Sequence, residues 1–77
     1  MTAVDRVKAI RRFLDAELAS RKAADARMAL PPGSTRARVT SANARWSSCA
    51  EDRDRAAADL DPATVLALRA ELDRGAA

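Results

Sequence analysis

Few residues in this chain could carry out acid–base or nucleophilic chemistry. The sequence has no His and no Tyr, so its one cysteine, Cys49, has no His to activate it. Ser47 and Ser48 lie in the same stretch and also lack a base. General acid–base and nucleophilic catalysis need a titratable group held beside a partner. We therefore expect a protein that is not an enzyme.

A run of carboxylates follows Cys49, where Glu51, Asp52 and Asp54 are interleaved with Arg53 and Arg55. Carboxylates could bind Mg²⁺, but arginines in the same run favour an ion-paired, solvated helix face. One Cys and no His exclude a zinc module, and two isolated glycines do not form a phosphate-binding loop. We expect no metal, no cofactor and no small-molecule substrate.

The most distinctive segment, residues 31–45, contains three arginines, no acid and many hydroxyl and amide side chains. Backbone amides at a helix start, with arginines beside them, suit phosphates or the carboxylates of a partner. Arg38, Ser41 and Arg45 share one stripe of a helix. The alternative is a capped helix start with solvated arginines, and no sequence-reading DNA motif accompanies the segment. The candidate contact residues are Ser34, Thr35, Arg36, Arg38 and Arg45.

Length and composition indicate one small domain, residues 1–77, with a thin core. The 77 residues carry 14 basic and 11 acidic side chains, a net charge of +3. No apolar run approaches the roughly 18 residues that a transmembrane helix needs. Abundant Ala and Arg, which GC-rich codons encode, indicate a high-GC bacterium or one of its viruses. No secretory signal begins the chain, so we expect the cytoplasm of such a host, or a virion assembled there.

Apolar residues recur every three or four positions, and nothing alternates with a period of two, so the predicted fold is all-α. Helices are predicted over about residues 3–29, 35–59 and 62–73, with a loop at 30–34. Thr2, Thr35 (or Ser34) and Asp61 are the expected N-caps, and Gly75 the expected end. Two long helices of similar length with a short connection favour an antiparallel hairpin, to which a short C-terminal helix is added.

The apolar stripes predict which side chains pack inside the hairpin. The expected core residues are Val7, Ile10, Leu14, Leu18, Val39 and Trp46. Trp46 should then lie near Leu18, and Ala56 near Val7 or Ile10. Arg53 interrupts the second stripe, and we expect its stem in the hairpin seam with its head on a carboxylate such as Asp15.

Phe13 lies about 100° from Leu14 on a helical wheel, toward the edge of the apolar stripe. Either the third helix covers Phe13 or another chain does. So small a core is marginal for an isolated chain, which favours self-association or docking on a larger partner. Phe13 and Leu68 are therefore predicted to be exposed apolar anchors for that partner.

The stretch from Leu30 to Arg55, which reads LPPGSTRARVTSANARWSSCAEDRDR, resembles short helical proteins of actinobacterial phages and prophages. The resemblance implies a minor structural or accessory protein of a phage particle, one that docks on a larger assembly protein or on copies of itself. It brings no functional residues with it.

Three functions remain open at the level of sequence. The leading expectation is a non-enzymatic protein-binding or structural component. The first alternative is a small nucleic-acid-binding accessory or regulatory protein that uses the basic hairpin tip. The second alternative is an inhibitor or antitoxin-like protein that folds fully only on its target, which a low apolar content allows.

Overall fold

The computed structural model describes residues 2–76, without the side chain of Ala76, and all regular structure in that range is α-helical. Helix α1 spans Ala3–Met28, α2 spans Arg36–Ala58 and α3 spans Pro62–Ala76. The predicted all-α fold, two long helices and a short C-terminal one, is confirmed. Arg12 contacts Asp59, Ser20 contacts Arg53, and Arg27 contacts Trp46. Residue numbers increase along α1 while those of the contact partners decrease, so α1 and α2 form an antiparallel hairpin. The molecule is elongated, 49 × 26 × 17 Å.

Each helix begins at a side chain that satisfies an otherwise unpaired backbone amide. Thr2 and Asp5 form a reciprocal capping box, in which Thr2 Oγ1 accepts from the Asp5 amide at 3.2 Å. Thr35 Oγ1 accepts from the Arg38 amide at 3.3 Å. Asp61 accepts from both the amide (3.1 Å) and the hydroxyl (2.6 Å) of Thr64. These local hydrogen bonds fix where the helices start.

The connection between α1 and α2 is a tight turn built on Pro32 and Gly33. The Ser34 amide donates to the Pro31 carbonyl at 3.2 Å, and Gly33 has a φ of +82°. Proline at the second position and a positive φ at the third are the features of a type II turn. The Ser34 hydroxyl also donates to the Pro31 carbonyl, at 2.7 Å. The turn brings the start of α2 back against the end of α1.

The core centres on a cluster of one buried apolar side chain from each helix, Phe13, Ala56 and Val65, and Ala23 of α1 is buried outside this cluster. Five partly buried side chains pack around them, namely Leu14, Ala16, Ala57, Leu60 and Leu68. The prediction that Phe13 and Leu68 are exposed anchors is therefore wrong. Phe13 is completely buried because Ala56 leaves room for its ring and α3 brings Val65 over it. Leu68 packs on the same cluster and is only partly exposed.

The predicted core of the hairpin is also wrong in part. Val7, Leu18 and Val39 are exposed, and the other three predicted core residues, Ile10, Leu14 and Trp46, are only partly buried. The buried face of α1 consists instead of Phe13, Glu17, Ser20 and Ala23. At about 100° per residue, this face is centred roughly a third of a turn from the predicted stripe. Ser20 and Ala23 on this face are smaller than Val and Leu, so α2 can pack closely against this part of α1.

Helix α3 runs parallel to α1. Three pairs of contacting residues, which we call rungs, join the two helices at a constant spacing. Phe13 packs with Val65, Glu17 pairs with Arg69, and Arg21 pairs with Asp73. Each rung is four residues further along both helices, so a single turn of each helix separates successive rungs. Arg69 Nε lies 2.8 Å from Glu17 Oε1, and Arg21 Nη1 lies 2.7 Å from Asp73 Oδ1. Ion pairs therefore extend the small apolar contact that holds α3.

The register of the hairpin differs from the predicted one. Ala56 packs on Phe13 rather than on Val7 or Ile10, and Trp46 lies beneath Arg27. The seam residue Arg53 is half-buried as expected, but it does not pair with Asp15. Its Nε donates to Asp54 Oδ1 at 3.1 Å, and its Nη1 donates to Ser20 Oγ at 3.3 Å. Asp54 is adjacent to Arg53 in the sequence, so this ion pair does not depend on the register of the hairpin.

Helix α3 continues through Gly75, three residues beyond its predicted end at residue 73. Gly33 is the one glycine with a positive φ in the described range, so Gly75 does not act as a left-handed cap. Nothing lies within 4 Å of the position that a Cβ would take at Gly75. Within residues 2–76, no helix is long and apolar enough to cross a membrane.

Candidate functional site

The part of the molecule that differs most from the rest in charge is the tip of the hairpin, residues 22–50. This segment holds five basic residues and a single acid, Asp25, for a net charge of +4. The whole chain carries +3, so the remaining residues together carry −1. The basic residues of the tip are Lys22, Arg27, Arg36, Arg38 and Arg45.

The ion pairs of the described residues lie outside the tip. Six of the eight arginines outside the tip pair with carboxylates: Arg12, Arg21, Arg53, Arg55, Arg69 and Arg74. Among residues 2–76, no basic side chain of the tip forms such a pair. Four of them, Lys22, Arg36, Arg38 and Arg45, are exposed and contact neither a carboxylate nor an aromatic ring in that range. The tip therefore presents positive charge that the fold itself does not neutralise.

A groove of about 280 Å³ crosses the tip between the end of α1 and the start of α2. We call it the tip groove. Its apolar lining residues are Ala23, Ala26, Leu30 and Ala42, and its polar lining residues are Arg38, Ser41 and Arg45. The antiparallel hairpin positions both sets, because α1 supplies small side chains and α2 supplies the two arginines, which stand two helical turns apart. The groove thus combines an apolar lining with two cationic side chains.

The structure brings together only some of the predicted contact residues. Arg38 and Arg45 line the tip groove along with Ser41. Arg36 precedes Arg38 by two residues, which at about 100° per residue places it on the other side of α2. Ser34 and Thr35 hold the turn and the helix cap through their hydroxyls, as described above. The groove therefore depends on Arg38 and Arg45, while Ser34 and Thr35 shape the backbone that presents them.

Trp46 lies at the tip, and one face of its ring is covered by another side chain. The Arg27 guanidinium lies over its ring, 4.9 Å from the ring centroid, and the side chain is half-buried. A cation over an aromatic face is an attractive contact. A nucleobase stacking on that face of Trp46 would first have to displace Arg27.

The carboxylate run on α2 forms the ion-paired face that its sequence predicts. Arg55 contacts Glu51 and Asp52 at 3.6 and 3.7 Å, and Arg53 contacts Asp54 at 3.1 Å. Within the described part of the chain, no cluster of three or more His, Cys, Asp or Glu side chains could hold a metal ion. Cys49 is half-buried and lines an open groove of about 400 Å³ between α1 and α2, which Asp15 and Asp52 also line.

Sequence reasoning missed the polar layer between α1 and its neighbours. Glu17 and Ser20 are buried, and they accept hydrogen bonds from Arg69 and Arg53 respectively. The signal that could have revealed this layer is a shared spacing of four. On α1 it runs Phe13, Glu17, Arg21, and on α3 it runs Val65, Arg69, Asp73. At each polar rung the two helices carry opposite charges: Glu17 faces Arg69, and Arg21 faces Asp73.

No protein-family model, no curated protein and no solved structure matches this chain.

Proposed function

We propose that this protein is a non-enzymatic binding component, which docks through its tip groove on an acidic segment of a larger protein. The observation that carries the proposal is the charge distribution: six of the eight arginines outside the tip pair with carboxylates in the described chain, while Arg38 and Arg45 line a groove that has no carboxylate among its lining residues. Cationic side chains left unpaired at a surface raise the local potential for an anionic partner.

The lining of the groove favours a peptide over a nucleic-acid backbone. Phosphate recognition uses cations and polar donors, whereas half of this groove is lined by Ala and Leu side chains. A peptide carrying Glu or Asp beside small apolar residues matches both parts, because its carboxylates meet the arginines and its apolar side chains meet the alanines. In the form that the phage resemblance implies, the larger protein is a shell or connector component of a phage particle.

A nucleic-acid-binding role is the second candidate, and the net charge of +4 at the tip favours it. Binding to duplex DNA through n phosphates would fall with salt by about 0.9n log units per log unit of salt concentration. Two groove arginines and two further exposed cations can neutralise few phosphates. This candidate therefore predicts weak binding that falls by at most about 3.6 log units per log unit of salt concentration, the value for four phosphates.

Titration of the chain with two labelled probes tests the proposal: a short peptide of Glu and Ala, and duplex DNA. The wild-type protein should bind the peptide, and Arg38→Glu/Arg45→Glu should weaken that binding at least tenfold. Arg12→Glu/Arg74→Glu is the matched control, because it reverses the same amount of charge at exposed arginines outside the tip. Peptide binding that survives in Arg38→Glu/Arg45→Glu, or DNA binding tighter than peptide binding, would reject the proposal.

A further inference from the structure

One face of α1 carries three large apolar side chains that are at least half exposed and lie outside the core cluster. Val4, Val7 and Leu18 are 63, 58 and 50% exposed. With Arg11 and Leu14 they follow the order 4, 7, 11, 14, 18, alternating steps of three and four residues. That spacing is the heptad repeat of a helix that packs along another helix. We call this surface the outer face of α1.

The outer face contains a hollow of about 390 Å³ lined by Ala3, Val4, Val7, Lys8 and Arg11. Four of these residues stand at positions i, i+3, i+4 and i+7 of the helix. In coiled coils, four residues of one helix form the hole that receives a single side chain, the knob, from the facing helix. The shape of the hollow therefore indicates a helix as its occupant, with an aliphatic side chain as the knob.

The charges beside this face indicate which helix that is. Lys8 and Asp15 flank the apolar positions seven residues apart, both are exposed, and neither forms an ion pair within residues 2–76. In an antiparallel pair of identical helices, equivalent flanking positions face each other. Lys8 of one copy then faces Asp15 of the second copy, and the two-fold axis repeats the pair.

We propose that two copies of this chain associate through their outer faces, with the two α1 helices antiparallel. Leu18 of the second copy fills the hollow beside Val7, and Lys8 pairs with Asp15 of the second copy. In this register Arg11 lies opposite Leu14 and beside Asp15 of the second copy, so no like charges meet directly. The proposal rests on a different surface from the tip groove and does not depend on it.

The contact covers residues 4–18, about 21 Å of helix at 1.5 Å per residue. So short a strip falls in the class of small, transient interfaces, below about 1,200 Å² of buried surface. The dimer should therefore be concentration-dependent and dissociate on dilution.

Sedimentation equilibrium of the full chain over a concentration series tests the apolar part of this interface. The wild-type chain should pass from monomer to dimer as concentration rises, and Leu18→Glu should raise the dimer dissociation constant at least tenfold. Leu66→Glu is the matched control, because Leu66 is 66% exposed on α3, away from the outer face. A wild-type chain that stays monomeric throughout, or a Leu66→Glu variant as weak as Leu18→Glu, would overturn the proposal.

Charge exchange tests the orientation and the identity of the partner. Lys8→Asp and Asp15→Lys should each weaken the homodimer several-fold, while the two variants mixed should form a heterodimer. The double variant Lys8→Asp/Asp15→Lys should restore the dissociation constant to within about threefold of the wild-type value. Circular dichroism should show unchanged helix content, since both side chains are exposed. A double variant as weak as either single one would refute antiparallel self-pairing.

Discussion

Arg69 Nε donates a 2.8 Å hydrogen bond to Oε1 of Glu17, a carboxylate whose side chain is only 6% exposed. The same guanidinium lies 5.8 Å from the centroid of the Phe13 ring. One side chain of α3 thus satisfies a buried charge on α1 and covers the largest core residue. Arg69 thus adds a buried ion pair to the apolar packing of Val65 and Leu68 that attaches α3.

Loss of Arg69 should therefore destabilise the chain strongly. Arg69→Leu leaves Glu17 buried without its main partner, and we expect the free energy of unfolding to fall by about 2 kcal/mol. The value lies below the usual range for buried pairs because water reaches Arg69, which is 38% exposed. The double variant Glu17→Leu/Arg69→Leu should recover most of the loss. Urea unfolding followed by circular dichroism measures both, and a double variant as unstable as the single one contradicts this interpretation.

The position of Phe13 gives a second prediction. Truncation of a buried Phe to Ala lowers stability by about 3–5 kcal/mol, which is close to the whole stability of a chain this small. Phe13→Ala should therefore be largely unfolded at 25 °C. Leu18→Ala, on the exposed outer face, should leave the helical signal at 222 nm unchanged in dilute solution. An effect of Leu18→Ala as large as that of Phe13→Ala would contradict the burial of Phe13 and the exposure of Leu18 described here.

The cap of α3 makes part of its stability dependent on pH. The pKa of Asp61 is lowered below its ordinary value, mainly by the hydrogen bond from the Thr64 hydroxyl and secondly by the one from the Thr64 amide. A carboxyl with a lowered folded-state pKa contributes stability above its unfolded pKa and loses it as the pH falls through the folded pKa. The start of α3 should therefore loosen in acid, below about pH 4. The Thr64 amide resonance should report this step, and Asp61→Asn should abolish it while keeping a cap.

Trp46 is the single tryptophan of the chain, so its fluorescence reports directly on the Arg27 contact. Arg27→Ala removes the guanidinium from the ring face, and we expect a red-shifted emission and easier quenching by acrylamide. The cost in stability should be small, about 0.5–1 kcal/mol, as for other cation–π contacts near the surface. An emission spectrum unchanged from the wild type would mean that Arg27 does not cover the ring in solution.

Reversing charge at Arg38 should separate binding from folding. Position 38 is the third residue of α2, and Thr35 already caps the helix through the Arg38 amide. Glu at that position would complete a capping box and suit the positive end of the helix dipole. Arg38→Glu should therefore melt at the wild-type temperature or above it while losing affinity for the Glu–Ala peptide. If Arg38→Glu melted below the wild-type temperature, this prediction would be wrong, and unfolding would account for its loss of binding.

Local signals in the sequence were sufficient for the helices but not for their packing. Thr2, Thr35 and Asp61 act on amides three residues away, so the sequence alone locates the helix starts. The prediction placed the apolar stripe of Val7, Ile10, Leu14 and Leu18 on the buried face of α1. The buried face of the structure instead combines one large apolar residue, Phe13, with Glu17, Ser20 and Ala23. In the structure, close approach of α2 and the Glu17–Arg69 pair favour the face that contains Phe13.

The same difference explains how the candidate site could be found only in part. The arginine-rich segment is visible in the sequence, and so is the stripe that holds Arg38 and Arg45. Its relation to α1 is not, because Ala23 and Ala26 line the tip groove only through the register of the hairpin. That the basic side chains of the tip form no ion pair with a carboxylate of residues 2–76 likewise depends on which helix faces lie together.

The most direct test of the proposed function is a ¹⁵N–¹H correlation spectrum of the chain titrated with the Glu–Ala peptide. Binding in the tip groove predicts that amide shifts concentrate at Ala23, Ala26, Ser41 and Ala42, and that they vanish in Arg38→Glu/Arg45→Glu. Shifts confined to the outer face of α1, or spread evenly over all exposed arginines, would contradict the proposed function.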